Sequence, residues 1–219
     1  MKTSVITVNP FLPEKEAISL AASLIRKGGI VAYPTDTIYG LGVNVYDEEA
    51  LRRLYRVKQR SLNKPTGVLI CEESQLYNMV EDFPENAKTL MKKFWPGALT
   101  IVFRASARLS KMLTGGSGTV GIRIPENRIA VSLIRESGIP ITSPSANITG
   151  HSPNLCREEI LKEFDGKIDM VVDGGKSESP VPSTVLDLSR QEPVIIRHGR
   201  ISQTEIERVL KGISLKKAS

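Results

Sequence analysis

Histidine and cysteine are scarce in this chain, with two of each among 219 residues. Two histidines, His151 and His198, are too few for a typical metal cluster. Cys71 and Cys156 lie far apart and form no CxxC pair, so neither a zinc site nor a disulfide framework is indicated, and a reducing compartment is the expectation. No apolar run approaches the length needed to span a membrane. The opening stretch "MKTSVITVNPFLPEKE" has no apolar core of a signal peptide, so the sequence predicts a cytoplasmic protein with no membrane association. Phosphate-loop chemistry is also poorly served. "DMVVDGGKS" offers Gly-Lys-Ser, but the glycine required five residues earlier is Met170, and the following "ESPVPS" cannot easily open a helix. "GGSGTVG" at 115–121 lacks the strand–turn–helix setting of a dinucleotide loop. No G-x-S-x-G surrounds Ser143 or Ser145, and with two histidines a Ser-His-Asp triad is a poor fit.

What remains is an ordinary globular composition, 40% hydrophobic and 25% charged, long enough to bury a substantial core. No internal repeat, low-complexity stretch or long linker divides it, and one domain over residues 1–219 is the economical reading. Strand and helix patterns alternate. Helices are predicted over residues 14–27, 47–57, 87–94, 128–136, 157–164 and 204–211, with Asp47 as a cap and Gly28-Gly29 and Gly138 as stops. Strands are predicted over 30–33, 66–71, 99–103, 119–124, 139–143, 169–173, 183–188 and 194–197. Alternation of this kind indicates α/β, and because several connections contain no helix the sheet is expected to be mixed. Residues 212–219 read as a flexible basic tail.

Charge is unevenly spread. The net charge is +6, and six cations (Arg52, Arg53, Arg56, Lys58, Arg60 and Lys64) fall within residues 52–64 without an acid. Cations near a helix C-terminus are ordinary, but six converging at a polar strand end call for an anion, with polyphosphate the natural candidate. That strand end is "AYPTDTIYGLG", residues 32–42. Alternation places Thr35 and Thr37 on one face while the strand persists. Pro34 stiffens the exit, Gly40 and Gly42 permit a tight turn, and Asp36 reads as a cap or turn acceptor. "TSPSANITG" supplies further hydroxyls and an amide at another strand end, where ligands of α/β sheets bind.

Six segments, "YPTDTIYGLG", "KQRSLNKP", "TVGIRIPEN", "SPSANITG", "PSTVLDL" and "VIIRHGRI", stand in the order and spacing of the threonylcarbamoyl-AMP synthase family, the YrdC-like domain, which the chain resembles from about residue 18 to 211. Lys58-x-Arg60 with Ser145-x-Asn147 is the most specific element. The resemblance implies an open, twisted mixed α/β sheet with flanking helices and a central basic cavity. It also implies synthesis of L-threonylcarbamoyladenylate from L-threonine, bicarbonate and ATP with release of pyrophosphate, the first step of tRNA threonylcarbamoyladenosine formation, magnesium arriving mainly on ATP and a separate transferase complex taking the product. Carried over, Lys58 and Arg60 are the catalytic candidates; Thr37, Arg123, Ser143 and Ser183 meet threonine; Arg60, Lys64, Thr119, Ser145, Asn147, Ser152 and Arg197 meet ATP. Leu69 stands where many members have histidine or another polar residue, Lys64 where asparagine is frequent, and His198 where proline is common. The second, smaller domain of longer members is not in the sequence, which resembles the short, single-domain form. A non-catalytic module for tRNA or ribosomal RNA is the alternative; the basic surface fits weak RNA contact, whereas 5% aromatics and the lack of an RNA-binding motif do not favour it. A carbamoyl-adenylating domain of the hydrogenase-maturation type is a further one, without the accompanying acylphosphatase and cysteine-rich regions.

Overall fold

The computed structural model describes residues 2–177, 180–211 and 215–217. The chain is mixed α/β as expected, but it builds two sheets rather than one. The first has the order β1-β8-β2-β3, from β1 (Ser4–Thr7), β8 (Met170–Asp173), β2 (Val31–Tyr33) and β3 (Gly40–Gly42). The second has the order β11-β10-β9-β5-β6-β4-β7, from β11 (Lys216–Lys217), β10 (Val194–Arg197), β9 (Thr184–Asp187), β5 (Leu99–Arg104), β6 (Thr119–Arg123), β4 (Val68–Leu69) and β7 (Ile141–Thr142). Both mix parallel and antiparallel pairs. The sheets meet where β7 runs past the end of β3: Thr142 N donates to Val43 O (3.1 Å), and the Thr142 hydroxyl donates to Leu41 O (2.8 Å).

The helices are α1 (Lys15–Arg26), α2 (Glu48–Val57), α3 (Glu85–Phe94), α4 (Lys111–Thr114), α5 (Arg128–Ser137), α6 (Arg157–Phe164) and α7 (Gln203–Val209). Their ends follow local chemistry. Asp47 accepts from Ala50 N at the start of α2, and Asn127 does the same for Ala130 N in α5. Gly138, at φ 70°, closes α5 in the left-handed conformation glycine adopts freely. Helix α1 buries Ile18, Ala21, Ala22 and Ile25 in a small core with Ile129, Leu133 and Ile134 of α5, over the first sheet. The larger core lies between α2, α3, α7 and the second sheet.

Three segments differ from expectation. The strand predicted over 66–71 pairs only at Val68–Leu69. Within the tail expected to be flexible, Lys216–Lys217 run parallel to β10 and Leu215 is buried; residues 212–214 and 218–219 lie outside the described residues. Gly40 and Gly42 are strand residues rather than a tight turn. A Cβ on Gly42 would stand 2.8 Å from Tyr33 Cε1, so the glycines exist to let the fully buried Tyr33 ring lie across β3. Among the described residues no helix is long and apolar enough to cross a membrane.

Candidate active site

One face of the second sheet is core and the other is the floor of a cavity. On β5, Ile101 and Phe103 point into the core while Thr100 and Val102 face the cavity; on β6, Val120 and Ile122 alternate likewise with Thr119, Gly121 and Arg123. The register aligns these rows, with Val102 opposite Gly121 and Thr100 opposite Val185. The hollow is about 400 Å³, a usual size for a small-molecule site. Thr100, Val102, Gly121, Val185 and Tyr39 were not singled out from the sequence. The period-two alternation of "LTIVF" and "TVGIRI" is the signal that could have separated the floor residues from the core, but which face met solvent required the opposite layer.

Lys58 and Arg60 enter from the end of α2. The helix closes with Gln59 N donating to Arg56 O (3.1 Å) and Arg60 N to Tyr55 O (2.9 Å), and Gln59 takes φ 51°. This is a Schellman closure with glutamine in the left-handed position, a conformation that costs a non-glycine residue about 1–2 kcal/mol. The reversal sends the two cations apart. Arg60 goes to the cavity wall, where Nη2 donates to Pro65 O (2.8 Å) and Nε is buried with no protein partner among the described residues. Lys58 goes inward, outside the cavity lining, and is 2% exposed. Its ammonium donates to Ser145 O and to Asn147 O (the latter at 2.6 Å). Burial first, and the Arg60 charge second, push Lys58 down to about 7, with Glu163 pulling the other way.

The loop that Lys58 supports is "SPSAN". It is pinned to β3 by Leu41 N donating to Pro144 O (2.9 Å) and Ala146 N to Tyr39 O (2.8 Å). Ser143 and Ser145 reach the cavity. Asn147 does not: its amide donates to Ile148 O (2.8 Å) and His151 O (2.9 Å), bracing the loop from behind. Ser152 is exposed beyond it and also lies outside the lining.

Thr35 and Thr37 meet by a turn, not by strand alternation, since β2 ends at Tyr33. Thr37 N donates to Thr35 Oγ1 (3.1 Å), and the two hydroxyls are 3.0 Å apart at the cavity wall. Asp36 is neither cap nor turn acceptor. It forms a buried ion pair with Arg123, Nη1 to Oδ1 at 2.7 Å, and Arg123 also donates to Gly97 O (3.2 Å) and lies 3.5 Å from the Thr37 hydroxyl. Opposite, Ser183 shares a hydrogen bond with Thr100 (2.8 Å) and accepts from Arg197 Nη2 (3.1 Å). Thr37, Arg123, Ser143 and Ser183 all line the hollow, Thr37 beside Arg123 and Ser183 beside Arg197. Arg60, Lys64, Thr119, Ser145 and Arg197 contribute to the same lining, as does Leu69, which is 2% exposed.

The lining therefore holds four cations, several hydroxyls and no carboxylate, histidine or cysteine. Among the described residues no group of three or more His, Cys, Asp or Glu is placed to hold a metal ion. These residues do not fit a protein-held divalent cation, which wants oxygen anions. They fit a ligand carrying negative charge at more than one point.

The chain is similar to known proteins over most of its length. The Sua5/YciO/YrdC family model, described as telomere recombination, matches residues 23–199. Threonylcarbamoyl-AMP synthase of Pyrococcus abyssi is 41% identical over 92% of this chain, which spans 59% of that relative's length. A putative threonylcarbamoyl-AMP synthase of Mycobacterium tuberculosis is 35% identical over 90% of this chain and 92% of its own. The crystal structure of P. abyssi Sua5 complexed with L-threonine superposes with a TM-score of 0.94 at 40% identity, covering 97% of this chain and 62% of that one.

Proposed function

The chain belongs to the Sua5/YciO/YrdC family, and we propose that it makes L-threonylcarbamoyladenylate from L-threonine, bicarbonate and ATP, releasing pyrophosphate. The observation that carries the reading is a single cavity lined by four cations, Arg60, Lys64, Arg123 and Arg197, together with several hydroxyls, with the Arg123 guanidinium fixed by Asp36. The fixed Arg123 guanidinium suits an amino-acid carboxylate, and the remaining cations suit a triphosphate.

The chemistry asks for little more. Threonine's amine adds to bicarbonate, losing water, to give a carbamate. A carbamate oxygen attacks the α-phosphorus of ATP, the bond to the bridging oxygen of the β-phosphate breaks, and pyrophosphate leaves with the electron pair. The nucleophile is already an anion, so no side-chain base is required. What the chain's residues supply is alignment and neutralisation of two anions brought together. Arg60, braced by its Nη2 on Pro65 O, faces the phosphates; Ser145 donates its hydroxyl to the nucleotide, and Thr119 adds another from β6. Lys58 contributes from beneath, holding the Ser145–Asn147 backbone, and Asn147 and Ser152 act on the nucleotide through that loop. Magnesium enters as the ATP complex. The product passes to a transferase acting on tRNA, and the protein works in the cytoplasm.

The test is pyrophosphate release with each substrate omitted in turn. Release that needs ATP, magnesium, threonine and bicarbonate together is expected; equal release without threonine refutes the assignment.

A further inference from the structure

Asp36 sits in the polar loop of the site yet does not line its cavity. It faces a second hollow of about 930 Å³ on the far side of that loop, which Thr35 and Thr37 also border. Its side chain is 9% exposed and that of its partner Arg123 is 4% exposed. A carboxylate so dry is costly unless paired, and a single guanidinium pairs it. Residue 36 is held from the main chain as well: Arg200 Nη1 donates to its carbonyl.

Arg123 needs such a hold. It ends β6 on a long, rotatable side chain, and the like charge of Arg197 borders the same cavity. That neighbour's influence is felt: partial burial first, and Arg123 second, lower the pKa of Arg197. The Asp36 carboxylate at 2.7 Å, Gly97 O at 3.2 Å and the Thr37 hydroxyl at 3.5 Å fix the guanidinium at the cavity wall beside Thr37. A guanidinium has five N–H donors in a fixed fork, so these three contacts do not exhaust them.

We propose that Asp36, steadied by Arg200, is a positioning residue that locks the Arg123 guanidinium for the amino-acid carboxylate and keeps it from the triphosphate. Asp36 is thereby a determinant of how the two substrates share one basic cavity. The inference rests on the proposed function, and its test is arranged to separate the two.

Asp36→Asn keeps the size and an acceptor while removing the charge. Steady-state kinetics on wild type and variant should show the threonine KM raised about tenfold or more, as loss of a charged hydrogen bond implies, with the ATP KM unchanged and kcat retained at saturating threonine. A general loosening of the fold would move both KM values and kcat together. Wild-type protein that releases no pyrophosphate with threonine overturns the proposed function and this role with it. Active wild type, with Asp36→Asn shifting both KM values equally or neither, overturns the role alone. Should Asp36→Asn not fold, the same split is read on Arg200→Ala, at an exposed side chain: a raised threonine KM with ATP unchanged supports the role, and an unchanged threonine KM refutes it.

Discussion

Replacing Lys58 with methionine, an apolar chain of similar length, tests the buried amine beneath the Ser145–Asn147 loop. Burial, then Arg60, lower Lys58 from 10.5 to about 7 in the folded protein, against the pull of Glu163. Between those values the unfolded chain holds more protons than the folded one, so stability rises with pH. The full penalty of burying the ammonium, about 5 kcal/mol, is present below the folded value and is lifted as pH approaches the unfolded one. From about pH 6.5 to about pH 9 the wild type should gain roughly 2 kcal/mol from this group, or about 4–8 °C in Tm for a chain of this size. Methionine has no proton to lose, but it strands Ser145 O and Asn147 O, at about 1–3 kcal/mol each if they stay dry. The variant should therefore be close to wild type at the acid end and clearly less stable at the alkaline end. Thermal unfolding of both proteins, followed by circular dichroism at the two pH values, reads this directly. A wild-type-minus-variant difference that stays within about 1 °C across the range refutes the titrating buried amine.

Two further outcomes follow from the packing and the cavity. Gly42→Ala should cost about 1–3 kcal/mol in chemical denaturation, because the new Cβ would stand 2.8 Å from a ring atom of Tyr33, itself tied by its hydroxyl to Thr142 O; undiminished stability would refute the account of that glycine. Arg60→Ala should weaken ATP binding about 10- to 150-fold by calorimetry and leave threonine binding nearly unchanged, whereas equal losses for both ligands would place Arg60 outside the nucleotide half.

Much of the fold was legible locally. Helix α2 begins at a capping aspartate and α5 ends at a left-handed glycine because those effects act within one turn of chain. Strands β5 and β6 were read close to their observed bounds, and the motifs contain most of the residues that line the cavity. Division into two sheets was not legible, since it depends on long-range partner choice: β8 pairs with β1 and β2, while β9 pairs with β5. Nor was the length of the strand at Val68–Leu69, an apolar run that reads the same whether two residues pair or six.

The sequence by itself determined the periodicities, the caps, the cluster of cations after α2 and the order of motifs, because each is a property of neighbouring residues. Only the tertiary structure decided what those residues face. Lys58 and Arg60 differ by two positions, yet a left-handed Gln59 sends one beneath a loop and the other to the cavity. Asp36 looks like a turn acceptor until Arg123, 87 residues away, arrives at 2.7 Å. Gly40 and Gly42 look like a turn until the Tyr33 ring needs the space. The partners of Lys58 and Asp36 are distant along the chain, that of the glycines is near, and in each case burial makes the contact obligatory: a dry charge must be paired, and a packed ring must be given room.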